Sequence, residues 1–212
     1  MNMINVLLAD DHLMFREGLK HILAKSRDIL VKDEAGNCSD VISKVLQNGH
    51  DVLVLDISMP DKNGLEIIDQ LKKYKPNLQI LVLSMYSEDQ YAFRAFQAGA
   101  SGYLTKNATA AELLKAIRKV SVNEKYITQS VAQKLADAIN ENIGIPIHKN
   151  LSNREFLVMC MIAKGNSITS IAEHFSLSVS TVNTIRSRIL KKMNMRNNAE
   201  LTYYAVKEGL VI

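Results

Sequence analysis

Val52-Leu53-Val54-Leu55-Asp56-Ile57-Ser58-Met59-Pro60 opens with a continuous apolar run closed by a carboxylate. Short runs rich in valine and leucine, without polar alternation, are what strands covered on both faces look like, and such strands belong to parallel sheets flanked by helices. Three other runs end in the same way. Ile4-Asn5-Val6-Leu7-Leu8-Ala9 leads into Asp10 and Asp11, Ile80-Leu81-Val82-Leu83 into Ser84, and Gly102-Tyr103-Leu104-Thr105 into Lys106. In open sheets of this class ligands bind beyond the carboxyl ends of the strands, so these polar residues are expected to converge on one crevice.

Between the runs the apolar spacing becomes helical, as in Phe15, Leu19, Ile22 and Leu23, in Val41, Ile42, Val45 and Leu46, and in Leu65, Ile68 and Leu71. Further helices fit Glu88–Ala98 and Ala110–Val120, and a weaker strand fits Ile29-Leu30-Val31. Strictly alternating strands and helices imply an α/β domain: a doubly wound, five-stranded parallel sheet with right-handed crossovers. Turn signals at Asn48-Gly49, Pro60 through Gly64, Lys75-Pro76-Asn77 and Ala98-Gly99 separate the periodic pieces.

The pattern changes after residue 125. One helix is expected from Ser130 to about Asn140, and Asn142 through Asn150, with Gly144 and Pro146, reads as a linker. Residues 149–212 then read as a second, smaller all-α domain of four short helices. Ser152-Asn153-Arg154-Glu155 is a capping box that opens the first, which stops near Gly165. The second carries Ile168, Ile171, Ala172 and Phe175; Ser178 caps a third, from Val179 to about Met193; and Asn198 caps a fourth, ended by Gly209. Two of these helices joined by a tight turn make a helix-turn-helix unit. The division is therefore 1–125, a connecting segment 126–148 with one helix, and 149–212.

Charge follows the same division. The net charge is +4, yet residues 1–125 hold 16 basic and 16 acidic side chains while residues 149–212 hold nine and four. A neutral domain followed by a short basic one points to a polyanion partner. No apolar stretch approaches the roughly 20 residues that span a bilayer, so no membrane association is expected and the cytoplasm is the expected location. Cys38 and Cys160 lack any metal-ligand spacing and read as reduced packing residues.

Three carboxylates gathered at one sheet edge repel one another unless a cation sits among them. Oxygen ligands favour a hard ion, and with few protein ligands magnesium fits better than calcium. Lys106 adds an ammonium that can pair with Asp56 or with a phosphoryl oxygen, and Ser84 adds a hydroxyl donor. With its charge offset, Asp56 can act as a nucleophile toward a phosphorylated donor, giving an aspartyl phosphate.

Leu8-Ala9-Asp10-Asp11-His12, Leu55-Asp56-Ile57-Ser58-Met59-Pro60 with Gly64, Leu83-Ser84, and Gly99 through Lys106 resemble the flavodoxin-like receiver domains of two-component response regulators. The resemblance runs from residue 4 to about 122. It implies that Asp56 is the phosphoacceptor, phosphorylated by a cognate sensor histidine kinase or a small phosphodonor. Asp11, Asp56 and the Ser58 carbonyl would bind Mg2+, with Asp10 acting through water. Ser84, Tyr103 and Lys106 would read out the phosphate, Tyr103 by turning inward. Two departures stand out: Asn107 replaces the proline that often follows the lysine, and Met85 is bulky where a small residue is common.

Leu151 through Glu155, Ile171 through Ser178, Ser180-Thr181-Val182 and Ala199-Glu200-Leu201 resemble the LuxR-type helix-turn-helix of the NarL/FixJ branch of response regulators. In the third helix, Val182, Ile185, Ile189 and Met193 form an inward stripe, leaving Thr181, Asn183, Thr184, Ser187, Arg188 and Lys191 outward. Arg186, Arg188, Lys191 and Lys192 are the expected phosphate anchors on DNA, and Asn183 and Thr184 the expected base contacts. This chain has Asn183 and Ile185 where the family commonly has lysine and histidine. The resemblance implies a phosphorylation-controlled transcriptional regulator that forms homodimers, with RNA polymerase a further partner; the last helix, near Leu201 to Ala205, is the candidate pairing surface, and its apolar positions fit a core role equally well. Two competing readings remain: a phosphatase or phosphotransferase, disfavoured because no Gly-rich nucleotide loop is present, and a DNA-binding protein indifferent to phosphorylation.

Overall fold

The computed structural model describes residues 3–59, 64–86, 88–129, 131–133 and 146–211. The expected turn over 60–63, most of the helix expected from Ser130 to about Asn140, and linker residues as far as Ile145 lie outside them. The chain divides into two compact units, Met1–Ile139 and Asn140–Ile212.

The first unit alternates β1 (Ile4–Ala9), α1 (Leu13–Ala24), β2 (Ile29–Ala35), α2 (Cys38–Gln47), β3 (Val52–Leu55), α3 (Gly64–Tyr74), β4 (Gln79–Ser84), α4 (Glu88–Gln97), β5 (Gly102–Thr105) and α5 (Ala110–Ser121). All five strands are parallel, in the order β2-β1-β3-β4-β5. The reversal of direction between β1 and β3 makes the sheet doubly wound and opens a crevice at its carboxyl edge. Every residue of β3 and β4 is buried, which is why those runs carry no polar alternation.

β2 extends four residues beyond the expected Ile29-Leu30-Val31, through Lys32-Asp33-Glu34-Ala35. It is an edge strand paired only with β1, with a register shift between Val6 and Leu7, so its outer positions tolerate charge and the apolar signal breaks off early. α2 also turns differently from the expected stripe. It buries Cys38, Val41 and Val45 and leaves Leu46 47% exposed.

Beyond α5 the chain returns to the sheet. Tyr126 bridges to Gly102, its backbone N–H donating to the Ser101 carbonyl at 2.9 Å. Lys125 donates to the Ala100 carbonyl at 2.8 Å, and the Thr128 hydroxyl donates to Glu88, the first residue of α4. A Cβ on Gly102 would lie 2.9 Å from Leu81 Cδ1 and 3.0 Å from Tyr126 Cβ; glycine is what allows this approach.

The second unit holds a 3-10 turn (Ile147–Asn150), α6 (Asn153–Ala163), α7 (Ile168–His174), α8 (Val179–Lys192) and α9 (Asn198–Lys207). Ser152 caps α6 in the expected reciprocal box with Glu155, and Ser178 caps α8. The cap of α9 is Asn197 rather than Asn198: Asn197 accepts from the Glu200 N–H at 3.0 Å. Asn198 is then free to accept from Arg186 Nε at 2.6 Å. Ser176, between α7 and α8, adopts a φ of 52°, the left-handed corner of the tight turn. Val182, Ile189 and Met193 are buried, and Ile185 is half-buried.

Candidate functional site

β1 delivers Asp10 and Asp11, β3 delivers Asp56, β4 ends in Ser84, and β5 hands over directly to Lys106. Asp10, Asp56 and Ser84 are buried, whereas Asp11 remains 31% exposed. Ligand atoms of Asp10, Asp11, His12 and Asp56 all lie within 4.8 Å of one another. Four side chains from two separate strand ends therefore share one small volume.

Lys106 sits between the carboxylates. Its Nζ is 2.6 Å from Asp56 Oδ2 and 2.6 Å from Asp10 Oδ2, and it lies 4.6 Å over the Phe15 ring. Asp56 Oδ1 accepts from the Ser58 N–H at 3.0 Å, so both oxygens of Asp56 are oriented. Desolvation raises the pKa of Asp56 above the usual carboxylate range despite the attraction of Lys106. Burial disfavours the Lys106 cation, but Asp56 and Asp10 outweigh burial and raise its pKa. One ammonium thus balances two enclosed carboxylates, leaving the group rich in negative charge.

The donor set suits a hard divalent ion: three carboxylates at this spacing from strand ends, with most of the charge uncompensated. His12 is the member that the sequence reading did not single out. Its Nδ1 lies 2.8 Å from Asp11 Oδ1, and its side chain is 68% exposed. Phe15, read from the sequence only as a core residue, forms the platform under Lys106. The signal available for both was their place one and four residues after Asp11, at the cap and in the first turn of the following helix.

The neighbouring hydroxyls are also in place. Ser84 accepts from the Tyr86 N–H at 3.2 Å. Tyr103 is 1% exposed, pointing inward, and its hydroxyl donates to the Tyr86 carbonyl at 2.9 Å; burial raises its pKa. No cis peptide occurs among the described residues, so the Lys106–Asn107 step is trans and Lys106 still reaches both carboxylates. Met85 is 69% exposed beside Ser84.

In the second unit, α8 presents Thr181, Asn183, Thr184, Ser187, Arg188 and Lys191 to solvent. Two of the expected phosphate anchors have partners inside the unit. Arg186 is held by Asn198, and Lys192 Nζ is 2.7 Å from Glu155 Oε2. Desolvation works against the Glu155 charge, but Lys192 and the Ser152 cap outweigh it and lower its pKa. The side chains of Arg188 and Lys191 make no ion pair among the described residues.

Comparison with known proteins agrees with both halves. Residues 6–118 match the model of the response regulator receiver domain, and residues 149–205 that of bacterial regulatory proteins of the luxR family. The chain is 37% identical over 209 residues to the response regulator UvrY of Escherichia coli, covering 98% of this chain and 96% of that one. It is 35% identical over 210 residues to the response regulator GacA of Pseudomonas aeruginosa, covering 99% and 98%. Its fold is similar to that of the RcsB response regulator of Salmonella typhimurium, in a structure concerned with DNA interaction: TM-score 0.60, 26% identity, 97% of this chain and 99% of that one.

Proposed function

The chain belongs to the response regulators of two-component systems, a receiver domain joined to a luxR-family DNA-binding domain, and on that premise we propose that Asp56 is the residue whose phosphorylation controls binding to DNA. The regulator is a phosphorylation-dependent, DNA-binding transcription factor. The observation that carries the choice of Asp56 is its geometry: a buried carboxylate fixed at Oδ1 by Ser58 and at Oδ2 by Lys106, next to two more aspartates.

Asp10, Asp11 and Asp56, with the Ser58 carbonyl, would hold Mg2+. Bound there, such an ion would offset carboxylate charge and supply a Lewis acid for phosphoryl oxygens. The chain's own part in the transfer is positional. An Asp56 oxygen attacks the phosphorus of a sensor kinase phosphohistidine or of a small phosphodonor; the bond from phosphorus to the donor breaks, and the donor leaves with its electron pair. Lys106 passes from Asp56 to a phosphoryl oxygen, and Ser84 donates its hydroxyl to another. The catalysis is self-directed, to and from Asp56.

The readout runs through β5 and α4. Tyr103 holds the Tyr86 carbonyl, and Glu88 at the start of α4 holds Thr128 of the connecting segment. A shift at Ser84, which accepts from the Tyr86 N–H, would thus reach that segment by way of Tyr86 and the start of α4. Residues 1–125 act as receiver, 126–148 connect, and 149–212 bind DNA through α8: Thr181, Asn183, Thr184 and Ser187 face bases and Arg188 and Lys191 face phosphates, with Arg186 and Lys192 behind them, held by Asn198 and Glu155. Pairing of two copies on adjacent half-sites multiplies affinity. No described helix is long and apolar enough to cross a membrane, and a DNA-binding regulator works in the cytoplasm, where RNA polymerase is a partner.

The test is to add magnesium and acetyl phosphate to the full chain, then measure intact mass and affinity for a selected DNA pool. Wild type gains one phosphate and binds more tightly, and Asp56→Asn does neither. Labelling of Asp56→Asn to the same extent would overturn the assignment.

A further inference from the structure

The outward face of α8 holds several polar side chains, but their hydrogen-bonding capacity is unequal. The Thr184 hydroxyl donates to the Ser180 carbonyl at 3.0 Å, and the Ser187 hydroxyl donates to the Asn183 carbonyl at 3.0 Å. The hydroxyls of Ser180 and Thr181 lie 2.8 and 2.7 Å from the Ser178 cap. The hydroxyls of Thr184 and Ser187, their single protons committed to helix carbonyls, offer a reader of bases only lone pairs. Arg186 is tied to Asn198 and Lys192 to Glu155.

Asn183 stands apart. It is exposed, and its amide makes no hydrogen bond among the described residues. It is the fifth residue of a helix that begins at Val179, in the amino-terminal part that helix-turn-helix proteins bring to base edges. Arg188 and Lys191, which make no ion pair among the described residues, lie farther along the helix.

We propose that Asn183 is the specificity-determining residue of this regulator and that it selects adenine. The inference rests on the reading of α8 as the helix that enters the major groove. A planar amide presents one donor and one acceptor side by side. In the major groove only adenine answers with an adjacent acceptor and donor, N7 and the N6 amino group; guanine shows two acceptors, cytosine a lone amino group, and thymine an acceptor beside a methyl. With the nearby hydroxyls turned to the helix, the amide of Asn183 is the group best able to make a two-pronged contact. Each half-site therefore contains one adenine at a fixed position, and the paired half-site places its complement symmetrically.

The experiment selects binding sites from a random duplex pool with the full-length chain, its Asn183→Ala variant and its Asn183→Arg variant, at one salt concentration. Wild-type sites carry the fixed adenine; Asn183→Ala loses that preference alone, with an unchanged thermal midpoint; Asn183→Arg moves it to guanine, the partner of a guanidinium fork. Replacing the selected adenine by 7-deazaadenine, which keeps the base pair but removes N7, weakens wild-type binding by roughly 5- to 100-fold and leaves Asn183→Ala unaffected. If Asn183→Ala still selects the same adenine, or the deaza base costs wild type nothing, the proposal falls while the DNA-binding reading stands. If wild type retains no duplex at all, both fall.

Discussion

Lys106 and Asp10 form an ion pair at 2.6 Å with both side chains 5% exposed, so the ammonium that serves Asp56 is shared with a second buried carboxylate. A cation arriving between the aspartates therefore competes with Lys106 for Asp10 before any phosphate is present. Such competition would give the site two arrangements, an internal one in which Lys106 offsets part of the carboxylate charge and one with a metal ion.

Lys106→Met removes the internal arrangement. Breaking one partner out of a buried ionic group typically costs about 3–5 kcal/mol, and urea denaturation in the presence of a chelator should show a loss of this order. Magnesium should restore more stability to the variant than it adds to wild type. Equal magnesium effects on the two proteins would show that Lys106 and the ion do not compete.

Gly64 packs directly against the backbone of Asp56 and Ile57. A Cβ there would lie 2.6 Å from the Asp56 carbonyl oxygen and 2.7 Å from Ile57 Cα, both backbone atoms that cannot turn aside. Gly64→Ala should destabilise the receiver by roughly 1–3 kcal/mol and slow labelling of Asp56 by acetyl phosphate, read by intact mass against time.

Tyr103→Phe deletes the hydrogen bond to the Tyr86 carbonyl without emptying the ring's volume. A net cost of about 0.5–1.5 kcal/mol is expected, together with faster amide exchange in α4. Unchanged exchange there would detach Tyr103 from the route to the connecting segment.

The cations of α8 should separate into two classes. Arg188→Ala and Lys191→Ala should each flatten the dependence of log affinity on log salt by about one unit and leave stability unchanged. Lys192→Ala should lower stability by about 1 kcal/mol through the loss of its contact with Glu155, and its salt slope should move less. A full-unit slope change for Lys192→Ala would place it on phosphate instead.

Glu155 has a lowered pKa in the folded chain, so the unfolded chain binds its proton more readily. Its contribution to stability is therefore complete above the ordinary glutamate range and is lost as pH falls through the lower, folded value. Hydrogen exchange of α6 amides should show protection falling on acidification below about pH 4.5, and Glu155→Gln should weaken that part of the dependence. A variant with the wild-type acid profile would assign the effect to other carboxylates.

The four buried runs were legible because strands covered on both faces need apolar side chains at every position, and each run ends where the sheet does. β2 was only half legible, since its Lys32-Asp33-Glu34 stretch lies on an edge where charge is compatible with strand structure. The cap at Asn197 was misread by one residue because Asn197 and Asn198 have the same chemistry; the Arg186 bond decides which of them caps. Similarly, Arg186 and Lys192 look like free cations in sequence, and only packing against α9 and α6 shows that they are engaged.

Periodicity and the polar residues closing each run were enough to determine a doubly wound sheet, a helix-turn-helix unit and a carboxylate crevice, because burial constrains residue type locally. The sharing of Lys106 between Asp10 and Asp56, the entry of His12 and Phe15 into the site, and the division of the α8 cations were decided by tertiary structure alone. Those relations are distances between side chains far apart in the chain or turned by a helix, and a linear pattern carries no record of distance.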